Sequence, residues 1–266
     1  MTQSYSIEND YLNEFCDPVN YDLEEEVSVG NNPPAHAFYV ALASAVNGPV
    51  LEIASGTGLA TLKVAKAGID ITGLEIVPEM LAHAQHKAAQ MGLSVRWVQG
   101  DARTFSLDQR FKLIYMTGNA FQAFLNNTDQ RALLQRVHAH LAPDGLFAFE
   151  TRNPNWHDLT TDLTETEWLH YTSVAGYDVT ISEVREYDPV AQVLVYTLWR
   201  RWQAIDGPKE RTTRIALRYT FPQELRGLLE SSGFTIRHQY GGWDKRPLDA
   251  QSTTIISICR LTDLTS

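Results

Sequence analysis

Cysteine, long apolar runs and a leader-like start are scarce or missing in this chain of 266 residues. Its two cysteines, Cys16 and Cys259, lie near opposite ends of the sequence, so we expect a reduced, cytoplasmic protein rather than a disulfide framework. No apolar run approaches the roughly 20 residues that a membrane-spanning helix needs, so no membrane partner is predicted. The polar, acidic first ten residues do not resemble a signal peptide.

Positive charge is also limited, with 22 Lys and Arg against 32 Asp and Glu and a net charge of −10. Nucleic-acid binding needs clustered cations, so no nucleic-acid partner is predicted. One basic cluster alternates with apolar residues, which favours the water-facing side of a sheet over an anion-binding surface. Its members are Arg200, Arg201, Lys209, Arg211, Arg214 and Arg218.

Residues 34–150 alternate short apolar runs with helical patterns. Such alternation with short connections is typical of a parallel sheet covered by helices, so a doubly wound α/β domain is predicted. Pro143-Asp144-Gly145 is interpreted as a turn before the fifth strand. The strands are predicted at residues 50–54, 69–75, 95–99, 111–116 and 146–149, and the helices at residues 59–67, 79–91 and 128–141.

The pattern changes after Glu150. Residues 151–220 alternate apolar and polar side chains with a period of two, which predicts antiparallel strands with one wet face. Residues 222–232 are helical in pattern again, and residues 234–240 and 253–261 are predicted as strands. An antiparallel insert therefore interrupts an α/β domain formed by residues 1–150 and 221–266.

Carboxylates and glycines come at the ends of three successive predicted strands. Glu52 precedes the Gly56-Thr57-Gly58 loop, Glu75 ends the second strand, and Gly100-Asp101-Ala102 follows the third. Ligands of doubly wound sheets bind at these carboxyl ends, where glycine lets the backbone approach a ligand closely. Glu75 suits a ribose diol, and Asp101 suits an adenine amino group.

Two adenosine cofactors, a nicotinamide dinucleotide and S-adenosylmethionine, suit this arrangement, and the sequence of the glycine loop distinguishes between them. A nicotinamide dinucleotide site has a third glycine where this chain has Thr61. Glu52 would repel a pyrophosphate but suits the ammonium group of a methionine moiety. The pattern therefore favours S-adenosylmethionine, with a nicotinamide-dependent oxidoreductase as the weaker alternative.

Several motifs resemble those of class I (Rossmann-like) S-adenosylmethionine-dependent methyltransferases that act on small molecules. Residues 50–58, Val-Leu-Glu-Ile-Ala-Ser-Gly-Thr-Gly, resemble the first motif, residues 71–81 the second and residues 100–102 the third. Residues 113–124 are similar to the fourth-strand segment of this group, and residues 17–22 to the segment that precedes the domain.

The resemblance implies a doubly wound, seven-stranded, mostly parallel sheet with an N-terminal helical lid. It also implies S-adenosyl-L-methionine as cofactor, S-adenosyl-L-homocysteine as product and methyl transfer to N or O of a small-molecule acceptor. Ala54 and Ser55 replace the usual glycine and cysteine of the first motif, but both are small, so binding is expected to survive. The implied cofactor-binding residues are Tyr21, Glu52, Ala54, Gly56, Gly58, Glu75, Ile76, Met80, Gly100, Asp101, Ala102, Met116 and Thr117.

On the acceptor side, the candidates for catalysis are Tyr21, Asn119 and His157. His157 is the one histidine at a strand end that is plausible as a base, although a surface loop histidine is the more favoured interpretation. Tyr21 suits either a cation–π contact with the sulfonium or packing under the N-terminal helix. Further candidates are Arg152 and Asn153, and also Tyr240 and Trp243, which suit either an aromatic pocket or the core.

The sequence leaves open the role of the insert and the choice between catalysis and cofactor binding alone. The insert, residues 151–220, is expected to cover the acceptor, to form a homodimer contact, or both. No metal is predicted, because His83 with His86 and His138 with His140 lack a third ligand. A protein that binds S-adenosylmethionine without catalysis remains an alternative to the methyltransferase.

Overall fold

The N-terminal part of the chain is helical. In the computed structural model, which describes residues 7–30, 33–155 and 158–262, it forms α1 (Ile7–Glu14), α2 (Pro18–Val29) and α3 (Pro33–Ala45). Asp17 begins α2 by accepting a hydrogen bond from the backbone N–H of Asn20, and Pro18 occupies the first turn, where its missing N–H costs nothing. Gly30 ends the helix in the left-handed conformation, at φ 59°.

The predicted alternation of strands and helices follows. A short 3-10 helix at Ala120–Ala123 comes after the fourth strand. The other elements of this part are β1 (Val50–Ile53), α4 (Leu59–Lys66), β2 (Ile71–Glu75), α5 (Pro78–Gln90), β3 (Arg96–Gln99), β4 (Phe111–Met116), α6 (Asn127–His140), β5 (Leu141–Arg152), α7 (Pro222–Ser231), β10 (Phe234–Tyr240) and β11 (Thr254–Leu261).

These strands form one seven-stranded sheet in the order β10-β11-β5-β4-β1-β2-β3. β11 is antiparallel to both neighbours, whereas β5, β4, β1, β2 and β3 pair in parallel. Leu51 and Ile53 of β1 pack on the side of α6 and α7, and Val50 packs on the side of α3 and α4. This architecture confirms the predicted fold and brings the carboxyl ends of β1, β2, β4 and β5 to one edge.

The predicted turn at residues 143–145 is wrong, because β5 begins directly after α6. Leu141 already pairs with Phe111 of β4, and the register then shifts before Leu146 pairs with Leu113. A Cβ on Gly145 would lie 2.9 Å from the carbonyl oxygen of Phe111. Gly145 therefore allows two strands to approach closely at an irregular register, a role that shares its sequence signature with a turn.

The insert forms a second, antiparallel sheet in the order β6-β7-β8-β9. Its inner face packs on the N-terminal helices: Leu23 of α2 lies against a cluster that includes Leu169, Ile181 and Leu198. The strands are β6 (Asp162–Thr172), β7 (Asp178–Asp188), β8 (Val193–Ala204) and β9 (Gly207–Arg218).

The prediction that the basic cluster is one water-facing surface is wrong for two members. Arg200 is 6% exposed and Arg218 is 5% exposed. Arg200 pairs with Glu14 and Glu24 of the N-terminal helices, at 2.7 and 2.8 Å. Burying a guanidinium requires such partners, and they are distant in sequence, so the local alternation did not reveal them. Arg218 pairs with Glu224 and also donates to Asn127, Gln130 and Gln192.

Among the helices of the described ranges, none combines the length and the apolar character that crossing a membrane requires. The same ranges hold no group of three or more His, Cys, Asp or Glu side chains arranged around a metal ion.

The β2–β3 pair makes a testable packing prediction. Gly73 lies opposite Trp97, and a Cβ on Gly73 would come within 2.6 Å of the indole ring. Gly73→Ala should therefore lower the free energy of unfolding by roughly 2 kcal/mol, the usual size of an overpacking effect. The measurement is chemical denaturation followed by circular dichroism.

Gly227→Ala in α7 is the matched control, because no atom lies within 4 Å of its added Cβ. It should raise the free energy of unfolding by roughly 0.5–1 kcal/mol through helix propensity alone. Equal stability of the two variants would show that Trp97 does not restrict position 73.

Candidate active site

A continuous cleft lies at the carboxyl ends of the central strands. It consists of two adjoining pockets that share Tyr11, Ala54, Ala120 and Ala123. The first pocket contains the predicted adenine-side residues Ile76, Gly100, Asp101 and Ala102, together with Leu74 and Phe124. The second contains the predicted residues Tyr21, Gly56, Glu75, Met80, Thr117 and Asn119, together with Phe15, Ile215 and Leu217.

Three predicted cofactor residues lie behind the lining of the cleft rather than on it: Glu52, Gly58 and Met116. Met116 is fully buried at the end of β4, and Gly58 begins α4 in the left-handed conformation, at φ 79°. A Cβ on Gly58 would meet the ring of Trp97 at 2.9 Å. Position 58 therefore requires glycine for packing as well as for backbone conformation.

The loop after β1 turns sharply at Ala54 and Gly56, which have φ angles of 57° and 54°. A Cβ on Gly56 would meet no atom within 4 Å, so the space in front of this loop is open to a ligand. Ala54 holds a left-handed conformation that costs roughly 1 kcal/mol for a residue with a side chain. The replacement of the usual glycine by Ala54 thus leaves the shape of the loop intact at some cost in backbone strain.

Glu75 joins the first two motifs. One carboxylate oxygen accepts the backbone N–H of Gly56 at 2.8 Å, and the other accepts those of Ile76 and Val77 at 2.9 and 2.8 Å. Burial raises the pKa of Glu75, and these three hydrogen bonds oppose the rise. A carboxylate has about four lone-pair sites, so one remains for a donor in the cleft, such as a ribose hydroxyl.

Asp101 is held by its neighbour Arg103. The guanidinium donates to both carboxylate oxygens, and the backbone N–H of Arg103 donates to one of them at 2.8 Å. Partial burial raises the pKa of Asp101, but the hydrogen bonds from Arg103 outweigh it and the net shift is downward. Asp101 is therefore a fixed carboxylate at the rim of the first pocket.

Glu52 is 1% exposed and lies beneath the loop. Its carboxyl group accepts hydrogen bonds from the hydroxyls of Thr61 and of Tyr115, the latter at 2.9 Å. Burial raises the pKa of Glu52 to about 8, despite these hydrogen bonds. In this structure Thr61 is a partner of Glu52, a role that the missing third glycine of the loop did not suggest.

Sequence reasoning missed Glu150 as a site residue. Glu150 is buried near the end of β5. Its side chain accepts hydrogen bonds from the hydroxyl of Tyr39 and from Thr117 Oγ1, the latter at 3.1 Å. It also accepts the backbone N–H of Asn119 at 3.3 Å, and Asn119 has a left-handed φ of 57°. Glu150 thereby fixes the loop that carries Thr117 and Asn119. An acid at the end of a strand was the available signal.

The N-terminal helices close the cleft from above. Tyr11, Phe15 and Tyr21 line the second pocket, with Phe15 in edge contact with Tyr21 at 5.6 Å between ring centroids. Asp22 of α2 ties this layer to the α/β domain, because it bonds Thr57 of the glycine loop and two residues of α5, His83 and Lys87. Tyr11 was not predicted, since its helix carries no motif.

The remaining candidates for the acceptor side do not all lie at the cleft. His157 lies outside the described residues. Asn153 donates to the backbone oxygen of Ser252 at 2.7 Å, a structural contact. Tyr240 and Trp243 line a groove against α3 and not the cleft. The rings of Trp243 and Phe38 pack there with their centroids 5.5 Å apart. The structure therefore brings together Tyr21 and Asn119 but not Tyr240 and Trp243.

The cleft fits S-adenosylmethionine. Its apolar first pocket suits an adenine ring, Glu75 retains an acceptor site for a ribose hydroxyl, and the tyrosine rings of the second pocket suit a sulfonium. The fold and this donor set resemble those of Rossmann-like methyltransferases.

Comparison with known proteins agrees with this class. Residues 50–145 match the family model of a methyltransferase domain. Over 106 residues the chain is 32% identical to the glycine/sarcosine N-methyltransferase of Halorhodospira halochloris, a match that covers 39% of this chain and 40% of the relative. The chain thus matches less than half the length of this curated relative.

Solved structures match over nearly the whole chain. The CcbJ methyltransferase from Streptomyces caelestis superposes with a TM-score of 0.80 at 25% identity, covering 97% of this chain and 100% of that one. The S-adenosylmethionine-bound amino pentose methyltransferase CalS10 from Micromonospora echinaspora has the same fold, with a TM-score of 0.64 at 20% identity and coverage of 86% and 90%. These comparisons confirm the predicted fold, and residues 50–145 match the predicted methyltransferase class.

The raised pKa of Glu52 predicts a pH-dependent stability. In the folded protein Glu52 stays protonated up to about pH 8, whereas the unfolded chain releases this proton near its ordinary value of 4.5. The folded state therefore binds more protons between these values, and its stability should fall as pH rises from about 5 to 8. The slope from this group is at most ~1.4 kcal/mol per pH unit.

Glu52→Gln should remove this slope and be more stable than the wild type at pH 8, as measured by urea denaturation across pH 5–8. Glu79→Gln, at an exposed carboxyl in the first turn of α5, is the control and should leave the slope unchanged. An unchanged slope in Glu52→Gln would contradict the burial argument.

Proposed function

We propose that the protein transfers the methyl group of S-adenosylmethionine to an amine nitrogen of a small molecule. The similar proteins support nitrogen as the acceptor atom: one is named as a glycine/sarcosine N-methyltransferase, and another as an N,N-dimethyltransferase that acts on an amino sugar linked to a nucleotide. The observation in this chain that carries the proposal is the set of side chains in the second pocket.

These side chains position an acceptor but supply no strong base within the described part of the pocket. Burial raises the pKa values of Tyr11 and Tyr21, with Glu75 and Glu25 adding to the effect, so both phenols stay protonated at neutral pH. Glu75 is occupied by three backbone N–H groups. A hydroxyl acceptor would benefit from a base within about 3 Å, whereas a neutral amine attacks without one. The pocket therefore suits an amine.

S-adenosylmethionine supplies an already activated methyl group, so the protein's contribution is orientation and exclusion of water. Orientation alone is worth ~7 kcal/mol or more of a barrier. We assign Asn119, which Glu150 holds in place, to hydrogen bonding with the acceptor, and the ring of Tyr21 to a cation–π contact with positive charge. The N-terminal helices and the insert then act as the cover of the acceptor, and N-methylation is the outcome.

The test uses matched acceptors that differ in one atom. Glycine is compared with glycolate, and a 4-amino-4-deoxy sugar with its parent sugar, while release of S-adenosylhomocysteine is followed. We expect methylation of amines and none of the hydroxyl partners. Methylation of a hydroxyl would overturn the choice of nitrogen. Binding of S-adenosylmethionine with no turnover of any amine would instead support a non-catalytic binding protein.

Tyr21 variants test the cation–π assignment in the same assay. Tyr21→Phe retains the aromatic face and should keep kcat/KM within about twofold. Tyr21→Ala removes it and should lower kcat/KM roughly tenfold, which is the size of a partly desolvated cation–π contact. Equal losses in both variants would point to the hydroxyl group instead of the ring.

A further inference from the structure

Three polar groups converge where β5 meets the insert sheet. Arg152, the last residue of β5, donates through its guanidinium to the hydroxyl oxygen of Tyr196 at 3.5 Å. Tyr219, just beyond β9, is fully buried, and its hydroxyl has no hydrogen-bond partner among the described residues. Arg152 also opposes the rise that burial causes in the pKa of Tyr219, so the two groups are neighbours.

This cluster adjoins the cleft. Arg152 follows Glu150 by two residues on β5, so the two side chains leave the same face about 7 Å apart along the strand. Glu150 contacts Thr117 and the backbone of Asn119, which line the second pocket. From the other side, Tyr196 lies opposite Ile215 in the sheet register, and Ile215 lines the same pocket. The cluster thus lies directly behind residues that line the acceptor end of the cleft.

The cluster offers hydrogen-bond donors in excess. A guanidinium has five N–H groups and no acceptor, and Arg152 uses one of them on Tyr196 and directs another toward Tyr219, so three remain. Because the Tyr196 oxygen accepts that bond, its own O–H hydrogen is available to another group. Burial raises the pKa values of Tyr196 and Tyr219, so both phenols keep their protons at neutral pH.

Within the described ranges no carboxylate forms an ion pair with Arg152, and Asp158 and Glu183 influence it only at longer range. By contrast, Arg200 and Arg218, the two buried arginines of the insert sheet, each have a carboxylate within 2.8 Å. A partly buried guanidinium without such a partner favours an anionic ligand.

We propose that Arg152, with the hydroxyls of Tyr196 and Tyr219, binds a carboxylate group of the acceptor. This inference rests on the proposed amine methylation and narrows its substrate to amines that carry an acid group, such as amino acids. A carboxylate matches the planar guanidinium and a single positive charge. A phosphate dianion fits less well, because Asp158 and Glu183 add negative charge near the cluster.

The experiment uses pairs of amines that differ only in the anionic group: glycine with glycinamide, and sarcosine with sarcosinamide. Aminomethylphosphonate tests the phosphate-like alternative. We expect wild-type kcat/KM to favour the acids at least tenfold over the amides, since a charge-assisted hydrogen bond contributes about that factor. Arg152→Gln should remove this preference, mainly by raising KM for the acids, with kcat/KM for the amides changed less than about threefold.

Arg201→Gln is the matched control. Arg201 lies on the same strand as Tyr196 but on the opposite face, where it pairs with Glu165 and Glu210. This variant should keep the wild-type preference. Tyr196→Phe and Tyr219→Phe should each reduce the preference about threefold without abolishing it.

A second measurement does not need turnover. Acetate and acetamide are titrated into the protein saturated with S-adenosylhomocysteine, and tryptophan fluorescence is followed. Binding of acetate that is lost in Arg152→Gln supports the proposal. Equal responses to acetate and acetamide together with no acid preference in turnover overturn it, as does preferred use of the phosphonate. If S-adenosylhomocysteine itself does not bind, the proposed function fails, which is a distinct result.

Discussion

The arrangement of the cleft depends on the buried carboxylate of Glu75. It collects the N–H of Gly56 from the loop after β1 and those of Ile76 and Val77 after β2. These donors lie in the segments that follow two neighbouring strands, so one side chain fixes both the left-handed turn of the glycine loop and the start of α5. A shorter or neutral side chain at this position would leave one or more of the three donors without a charged acceptor, at a cost of about 1–3 kcal/mol each when buried.

Two more buried acids repeat this design at the ends of neighbouring strands. Glu52 on β1 accepts hydrogen bonds from the hydroxyls of Thr61 and Tyr115. Glu150 on β5 accepts hydrogen bonds from the hydroxyl of Tyr39 and from Thr117 in the loop after β4. Burial raises the pKa of each acid, so these contacts are made against a desolvation cost. Several buried acids close together, each with a desolvation cost, are typical of a functional site, where the fold holds loops in one geometry instead of maximising stability.

The sequence was sufficient to predict the parallel sheet and the cofactor end of the cleft, because both depend on patterns within short stretches of the chain. Period and spacing indicated the five parallel strands, and the acids Glu75 and Asp101 came at their ends. The rest depends on pairs far apart in the chain, such as Arg200 with Glu14 and Glu24, or Tyr39 with Glu150. Local alternation therefore described Arg200 as water-facing, and nothing in α1 marked Tyr11 as part of the cleft. Gly145 shows the same limit, since close strand approach and a turn favour the same residue.

We infer that this cleft binds S-adenosylmethionine through the geometry that Glu75 maintains. The most direct measurement is calorimetric titration of the wild type and of Glu75→Ala with S-adenosylmethionine and, separately, with NAD, after circular dichroism has shown that both proteins are folded. We expect micromolar binding of S-adenosylmethionine to the wild type, at least tenfold weaker binding to the variant and no binding of NAD. Binding of NAD alone, or equal binding of S-adenosylmethionine to both proteins, would contradict it.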